Sequence, residues 1–158
     1  MSYSILYEVE EFLNRKPNGI TYLLGRVMSY EDRSGANAPC GIIRAVRVDR
    51  TVRGVEKRLD PEEREVFTEL LPRVDGYQGC HLHILSFNLE PEDRANGLAL
   101  DVVRRTMKVW SVGCDCATAK IHHDPRHAFQ GTDQEIQAYW RRLGFNRYRQ
   151  TPYVGRIL

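Results

Sequence analysis

Long apolar runs are missing from this 158-residue sequence, and no stretch approaches the length that spans a bilayer as a helix. Its first residues lack the basic-then-apolar pattern of a secretory leader, so a cytoplasmic setting without a membrane partner is expected. Cysteine is scarce. Cys40, Cys80, Cys114 and Cys116 follow no disulfide-framework spacing, and buried thiols are the simplest account of them. Excess charge is missing too: a formal net charge of +2 is too small to imply a nucleic-acid partner. The glycine pattern of the dinucleotide-binding fold and that of the nucleotide P-loop are both absent. With no repeat and no linker, residues 1–158 read as one domain, large enough to bury a core without disulfide or metal.

Charge is present but unevenly spread. Arg44, Arg47, Arg50, Arg53, Lys57 and Arg58 crowd one segment, and no acid follows Glu135, whereas Arg141, Arg142, Arg147, Arg149 and Arg156 do. Such clusters suit a polyanionic ligand or a solvated face. His122, His123, Asp124 and His127 lie near Cys114 and Cys116, but their spacing matches no zinc pattern, and no metal is expected.

Residues 3–13 are ambiguous between strand and helix. Ile20–Met28 and Gly41–Val48 read as strands, with a loop over Arg33–Pro39, so the first half is a hairpin or meander. Asp60-Pro61-Glu62-Glu63 opens a helix that carries Val66, Phe67, Leu70 and Leu71 and stops at Pro72. Cys80–Leu89 then reads as a central strand with His81, His83, Leu85, Phe87 and Leu89 on one face. An amphipathic stripe over Gly97–Ser111 predicts a helix, and Cys116–Ile121 a short strand. Thr132-Asp133-Gln134-Glu135 is a capping box, and Gly144 suits the end of the helix it opens. Arg147–Arg149 and Tyr153–Ile157 are candidate closing strands. The fold class that follows is α/β (α+β), a mixed and mostly antiparallel sheet flanked by helices.

The chemistry concentrates where the central strand meets the next helix. Arg94-Ala95-Asn96-Gly97-Leu98-Ala99 brings several backbone N–H groups to the positive end of a helix, with Asn96 as a candidate cap and small residues permitting close approach. A phosphate or pyrophosphate can be held there, although a plain strand-to-helix turn has the same composition.

Here the sequence resembles the Gcn5-related N-acetyltransferase superfamily. Arg94-Ala-Asn-Gly97-Leu-Ala99 meets that family's cofactor signature, with Leu89 and Pro91 at the expected positions before it. Tyr139-Trp140-Arg141-Arg142-Leu143-Gly144-Phe145 is similar to its second element, and the resemblance spans residues 80–148. It implies an acyl-CoA N-acyltransferase-like sheet with splayed central strands, acetyl-CoA as cofactor, and a small-molecule or peptide amine as acceptor. By resemblance, the backbone of Phe87, Asn88 and Leu89 holds pantetheine. Arg94, Ala95, Asn96, Gly97, Leu98 and Ala99 hold the pyrophosphate, and Trp140 also lies at the cofactor.

The same resemblance places His83 where members carry a catalytic base, and the His-Leu-His pattern resembles that of arylalkylamine acetyltransferases. A histidine can titrate near neutral pH, which suits it to accept a proton from an amine. His81 can orient it or relay a proton; two ordinary partly buried histidines are the alternative. The family's proton-donating tyrosine falls on Trp140, and an indole cannot act as a general acid. Tyr139 is the adjacent candidate, with Tyr148, Tyr153, a serine or water as substitutes. The departure at Trp140 keeps open a non-catalytic acyl-CoA-binding or interaction domain, and the arginines a nucleic-acid-associated role. The loop from Ile121 to Gly131, which carries His122, His123, Asp124 and His127, is expected to border the acceptor site or pack over the cofactor. A homodimer is among the assemblies the sequence allows.

Overall fold

Four strands lead the chain in the computed structural model, which describes residues 2–10, 19–30, 37–67, 79–94 and 97–158. β1 (Ser2–Glu10), β2 (Ile20–Tyr30), β3 (Asn37–Asp49) and β4 (Cys80–Leu89) pair antiparallel in chain order, as a meander. Both faces of β3 are apolar because both are covered. Cys40, Ile43 and Ala45 join one core, whereas Val46 and Val48 join the other.

After β4 the topology changes. Helix α2 (Leu98–Trp110) returns the chain so that β5 (Cys114–Lys120) pairs parallel to β4. Helix α3 (Asp133–Arg142), β6 (Asn146–Arg147) and β7 (Tyr153–Ile157) follow, giving the sheet order β1-β2-β3-β4-β5-β7-β6. α2 buries Val102, Val103, Met107 and Trp110 and exposes Arg104, Arg105 and Lys108. Each large apolar side chain so buried contributes about 1.5–3 kcal/mol. β1 packs on its outer flank: the Tyr3 hydroxyl donates to Asp101, and Tyr7 meets Trp110 edge-on at 5.5 Å. Gly25 makes that packing possible, since a Cβ there would lie 2.7 Å from Ile43 Cγ2.

α3 carries the expected capping box at Thr132, and Gly144 follows its end at φ 83°. On the opposite face, helix α1 (Pro61–Glu65) is capped by Asp60 and Glu63 and leads into Val66 and Phe67, which pack beside Val46, Val48, Cys116 and Tyr153. The helix expected through Leu71 continues past Glu65 into a wider helical turn at Val66 and Phe67; Leu70, Leu71 and Pro72 lie outside the described residues, as do residues 11–13 of the ambiguous opening stretch. The loop expected through Pro39 ends earlier, because Asn37–Pro39 already pair with β2.

One expectation fails for a clear reason. His81, His83, Leu85, Phe87 and Leu89 do not share a face, because β4 carries a bulge: Arg44 pairs with Ser86 and Ala45 with Ile84, which leaves Leu85 as an extra residue. Alternation reverses there. Phe87 and Leu89 therefore face α2 with Leu82 and Ile84, while His81 and His83 face the α1 side.

Candidate functional site

The bulge is also where the central strands part. Parallel pairing of β4 with β5 ends at Ile84–Ala119, while Ser86–Leu89 continue on β3 alone. The expected splay is present. Its β4 edge is already occupied by the chain itself: Leu89 N–H donates 3.2 Å to the Arg126 carbonyl, and Ala128 N–H donates 2.8 Å to the Phe87 carbonyl. Asn88 and His127 form the bridge between these bonds. The segment from Asp124 to Phe129 is thus a strap across the groups expected to hold pantetheine.

Local bonds shape the strap. Asp124 accepts from the Arg126 N–H at 2.8 Å, and the Gln130 amide donates to the carbonyls of Asp124, Pro125 and His127 at 3.1, 3.4 and 2.5 Å. Phe129 anchors its end at 1% exposure, edge-on to Phe87 and Trp140 and stacked on Tyr139 at 5.0 Å. His127 Nδ1 lies 3.1 Å from the Phe129 backbone nitrogen and 3.3 Å from the Phe129 carbonyl oxygen, so the ring is held on the Phe129 backbone. Burial, then His122, lowers the His127 pKa to about 4.

Two clefts adjoin at Arg44 and Ser86. One, of about 620 Å³, runs past Asn88, Leu89 and Pro91 to Arg94, with Pro125 and Arg126 on its far wall. The other, of about 450 Å³, is lined by His83, His122, Tyr153 and Lys120 and by Asp60, Glu62 and Glu63 of the α1 cap. Three carboxyl groups there face the cations Arg44 and Lys120. Glu63 is 7% exposed, its carboxyl accepts from Tyr22 at 2.9 Å, and burial raises its pKa.

His83 enters this second cleft from β4. Its Nδ1 lies 2.8 Å from Thr118 Oγ1, which in turn lies 2.6 Å from His81 Nε2. One hydroxyl proton serves both rings, so Thr118 donates to one histidine and accepts from the other. Burial, and after it the neighbouring His122, lowers the His83 pKa to about 3, and burial followed by His83 holds His81 well below its ordinary value. Both rings are neutral at pH 7. His122 stacks on His127 at 5.4 Å, and its buried Nε2 has no hydrogen-bond partner among the described residues.

Of the expected site residues, His83, His81, Phe87, Asn88, Leu89 and Arg94 gather along β4 and its exit. Arg94 Nε donates 2.9 Å to the Leu89 carbonyl, which braces the turn. Gly97 caps α2 at φ 75°, a left-handed conformation suited to glycine, with open space where a Cβ would stand. Leu98 and Ala99 form the first turn after it, while Ala95 and Asn96 lie outside the described residues. Tyr139 and Trp140 approach the splay from the α2 side, across the sheet from His83. Trp140 is 1% exposed, and its indole N–H has no acceptor among the described residues. His123 turns away to Asp133 at 2.7 Å, and among the described residues no three His, Cys, Asp or Glu side chains converge as metal ligands. Sequence reasoning missed Thr118 and the pairing of the strap with β4. It places the loop from Ile121 to Gly131 beside the acceptor site or over the cofactor without that pairing, names His122 only within a cluster that fits no metal, and reads Glu63 as part of a helix cap.

The fold of this chain has solved counterparts. Arabidopsis thaliana NAA60 in complex with acetyl-CoA aligns over 98% of this chain and 99% of its own, at 12% identity and a TM-score of 0.56. The chain has the acyl-CoA N-acyltransferase fold. The same fold is shared with NAA60 bound to a bisubstrate analogue, over 87% of this chain and 76% of that one, at 12% identity and a TM-score of 0.56. The KacTA–DNA complex aligns over 86% of this chain and 67% of its own, at 10% identity and a TM-score of 0.51. The sequence matches no family model and none of the curated proteins compared with it. At these identities the likeness concerns the acyltransferase fold alone.

Proposed function

We propose that this chain transfers an acetyl group from acetyl-CoA to a primary amine by direct attack in a ternary complex. The observation that carries this reading is the parting of β4 and β5 at the Leu85 bulge, with the His83 cleft on one side and the glycine-capped helix beyond. NAA60, solved with acetyl-CoA, shares the fold.

The residues present fit such a ligand. The open approach to Gly97, Leu98 and Ala99 offers helix-end N–H groups to a pyrophosphate. Phe87, Asn88 and Leu89 offer a strand edge to pantetheine, and the Trp140 indole N–H is a buried donor with no acceptor among the described residues. Bound there, acetyl-CoA supplies an acyl carbon activated as a thioester. Glu62 and Glu63 draw a cationic acceptor into the cleft, and His83 takes a proton from the attacking nitrogen. Tyr153, which lines the His83 cleft, joins Tyr139 as a candidate to protonate the departing thiolate.

Trp140, standing where the resembled family carries its proton-donating tyrosine, favours a second reading, acyl-CoA binding without transfer. Thiol release from acetyl-CoA across aromatic amines, polyamines, amino acids and peptides separates the two. Transfer predicts acceptor-dependent release, whereas binding with no release from any amine selects the second reading. Gly97→Val weakens cofactor binding by about 10-fold or more, as its side chain enters the helix approach. Unchanged affinity removes the pyrophosphate assignment.

The strap makes a further prediction. Pantetheine and the strap compete for the Phe87 carbonyl and Leu89 N–H, so the observed affinity includes the work of freeing that edge. Gln130→Ala removes bonds that exist only while the strap is folded, at a cost of about 1 kcal/mol to that state. Calorimetry should then give acetyl-CoA affinity about 5-fold tighter than the parent. Equal or weaker affinity shows that the strap does not have to yield.

A further inference from the structure

A pair of thiols sits at the other end of the central strands. Cys80 begins β4 and Cys114 begins β5, and the parallel register sets them directly opposite each other. Their sulfur atoms are 2.9 Å apart. Neighbouring strands run about 4.8 Å apart, within the range of about 4.4–6.8 Å between Cα atoms that a disulfide accepts, so closing the bond needs little backbone movement.

The two sulfurs are not equivalent. Arg47, from β3, points a guanidinium nitrogen at Cys80 Sγ from 3.6 Å, and the same nitrogen donates to the Val112 carbonyl at 2.9 Å. That second bond fixes the cation in place. The hydrogen bond with Cys114, and with it Arg47, lowers the Cys80 pKa, while the same sulfur–sulfur bond and burial raise that of Cys114. The pair therefore loses its first proton as a Cys80 thiolate. Cys80 is half-buried and reachable from solvent, whereas Cys114 is 9% exposed. Cys40 and Cys116, at 3% and 4%, lie deeper in the core.

We propose that Cys80 and Cys114 are a peroxide-responsive redox pair, in which Cys80 is oxidised first and Cys114 resolves it to a disulfide across the closed end of β4 and β5. The Cys80 thiolate attacks one oxygen of a hydroperoxide, the O–O bond breaks, and the leaving hydroxide or alkoxide takes a proton from water. Sulfur loses two electrons and the peroxide gains them, giving a sulfenic acid. The Cys114 sulfur then attacks that sulfur, the S–O bond breaks, and the Cys114 proton leaves with the oxygen as water. The site is separate from the splay and does not depend on the proposed transfer activity.

The test uses the full chain, reduced and then treated with stoichiometric hydrogen peroxide. Intact mass should fall by two hydrogens, peptide mapping should locate a Cys80–Cys114 link, and dithiothreitol should restore the starting mass. Cys114→Ser should stop at a Cys80 sulfenic acid trapped by dimedone. Arg47→Gln should slow oxidation at pH 7 about 2-fold, because a thiol already mostly ionised there loses about half of its thiolate when its pKa rises by about one unit. A link between other cysteines, no mass loss in the parent, or an Arg47→Gln rate equal to the parent's would each overturn the assignment. The parent's own mass and map decide the pairing even where a variant folds poorly.

Discussion

Acidification from pH 7 to pH 4 unfolds the protein, and buried histidines drive the transition. Burial is the first cause of the lowered pKa at His81, His83, His122 and His127, reaching about 3 at His83 and about 4 at His127. In the unfolded chain a histidine accepts its proton near pH 6.5. The unfolded state therefore binds more protons throughout the interval between, and stability rises with pH there. The contribution is complete above about pH 6.5 and is lost progressively as pH falls toward the folded values.

Each histidine adds a slope of about 1.4 kcal/mol per pH unit. His83 and His127 together remove about 5 kcal/mol between pH 6.5 and 4.5, comparable with the lower end of a domain's total of about 5–15 kcal/mol. His81 acts in the same sense. Glu63 and Asp93 act in the opposite one, because their raised pKa values stabilise the fold on acidification, but they are two groups against four histidines. Circular dichroism against denaturant at several pH values gives the slope directly, and His127→Gln should lower it by about one proton. Flat stability from pH 7 to 4.5, or ring resonances of these histidines titrating near 6.5, would contradict the account.

The sequence was most legible where local rules act alone. The Thr132 capping box, the α2 stripe and the Cys80–Leu89 strand lie as read, because caps and periodicity need no knowledge of distant residues. The splay came from a resemblance and not from periodicity, since nothing in Leu85–Leu89 states that β5 has ended beside it. A single inserted residue at Leu85 reversed the face of everything after it, and strict alternation has no term for that. The strap was legible as a loop near the site, but its pairing with β4 was not, for another reason. Arg126 and Ala128 pair with Leu89 and Phe87, which lie far back in the chain, and such contacts leave no local pattern in an Asp-Pro-Arg-His loop. Thr118 likewise gains its place between two histidines only through the β4–β5 register.

His83→Asn should lower turnover by about 10-fold or more and leave acetyl-CoA affinity unchanged; the effect is smaller than the about 100-fold of a base matched to the working pH, because burial holds the ring at about 3. The bond to Thr118 decides which nitrogen works. His83 Nδ1 faces β5, and the ring also bonds the Thr118 backbone, which favours a proton on that side. Nε2 is then the basic nitrogen left for the cleft, and asparagine keeps a donor to Thr118 while removing it. His122→Asn is the companion variant, because His122 lines the same cleft with an unpartnered Nε2 among the described residues. Full turnover in His83→Asn with loss in His122→Asn moves the base to His122. The pH profile adds an independent check. With His83 at about 3, the ring is already neutral across the working range, so the acid limb of kcat/KM belongs to the amine. That limb should shift with the acceptor, lying at lower pH for an aromatic amine than for an alkylamine. A limb fixed near pH 6.5 for every acceptor would mean that a histidine titrates in solvent-like surroundings, which the burial of His83 at 4% exposure forbids.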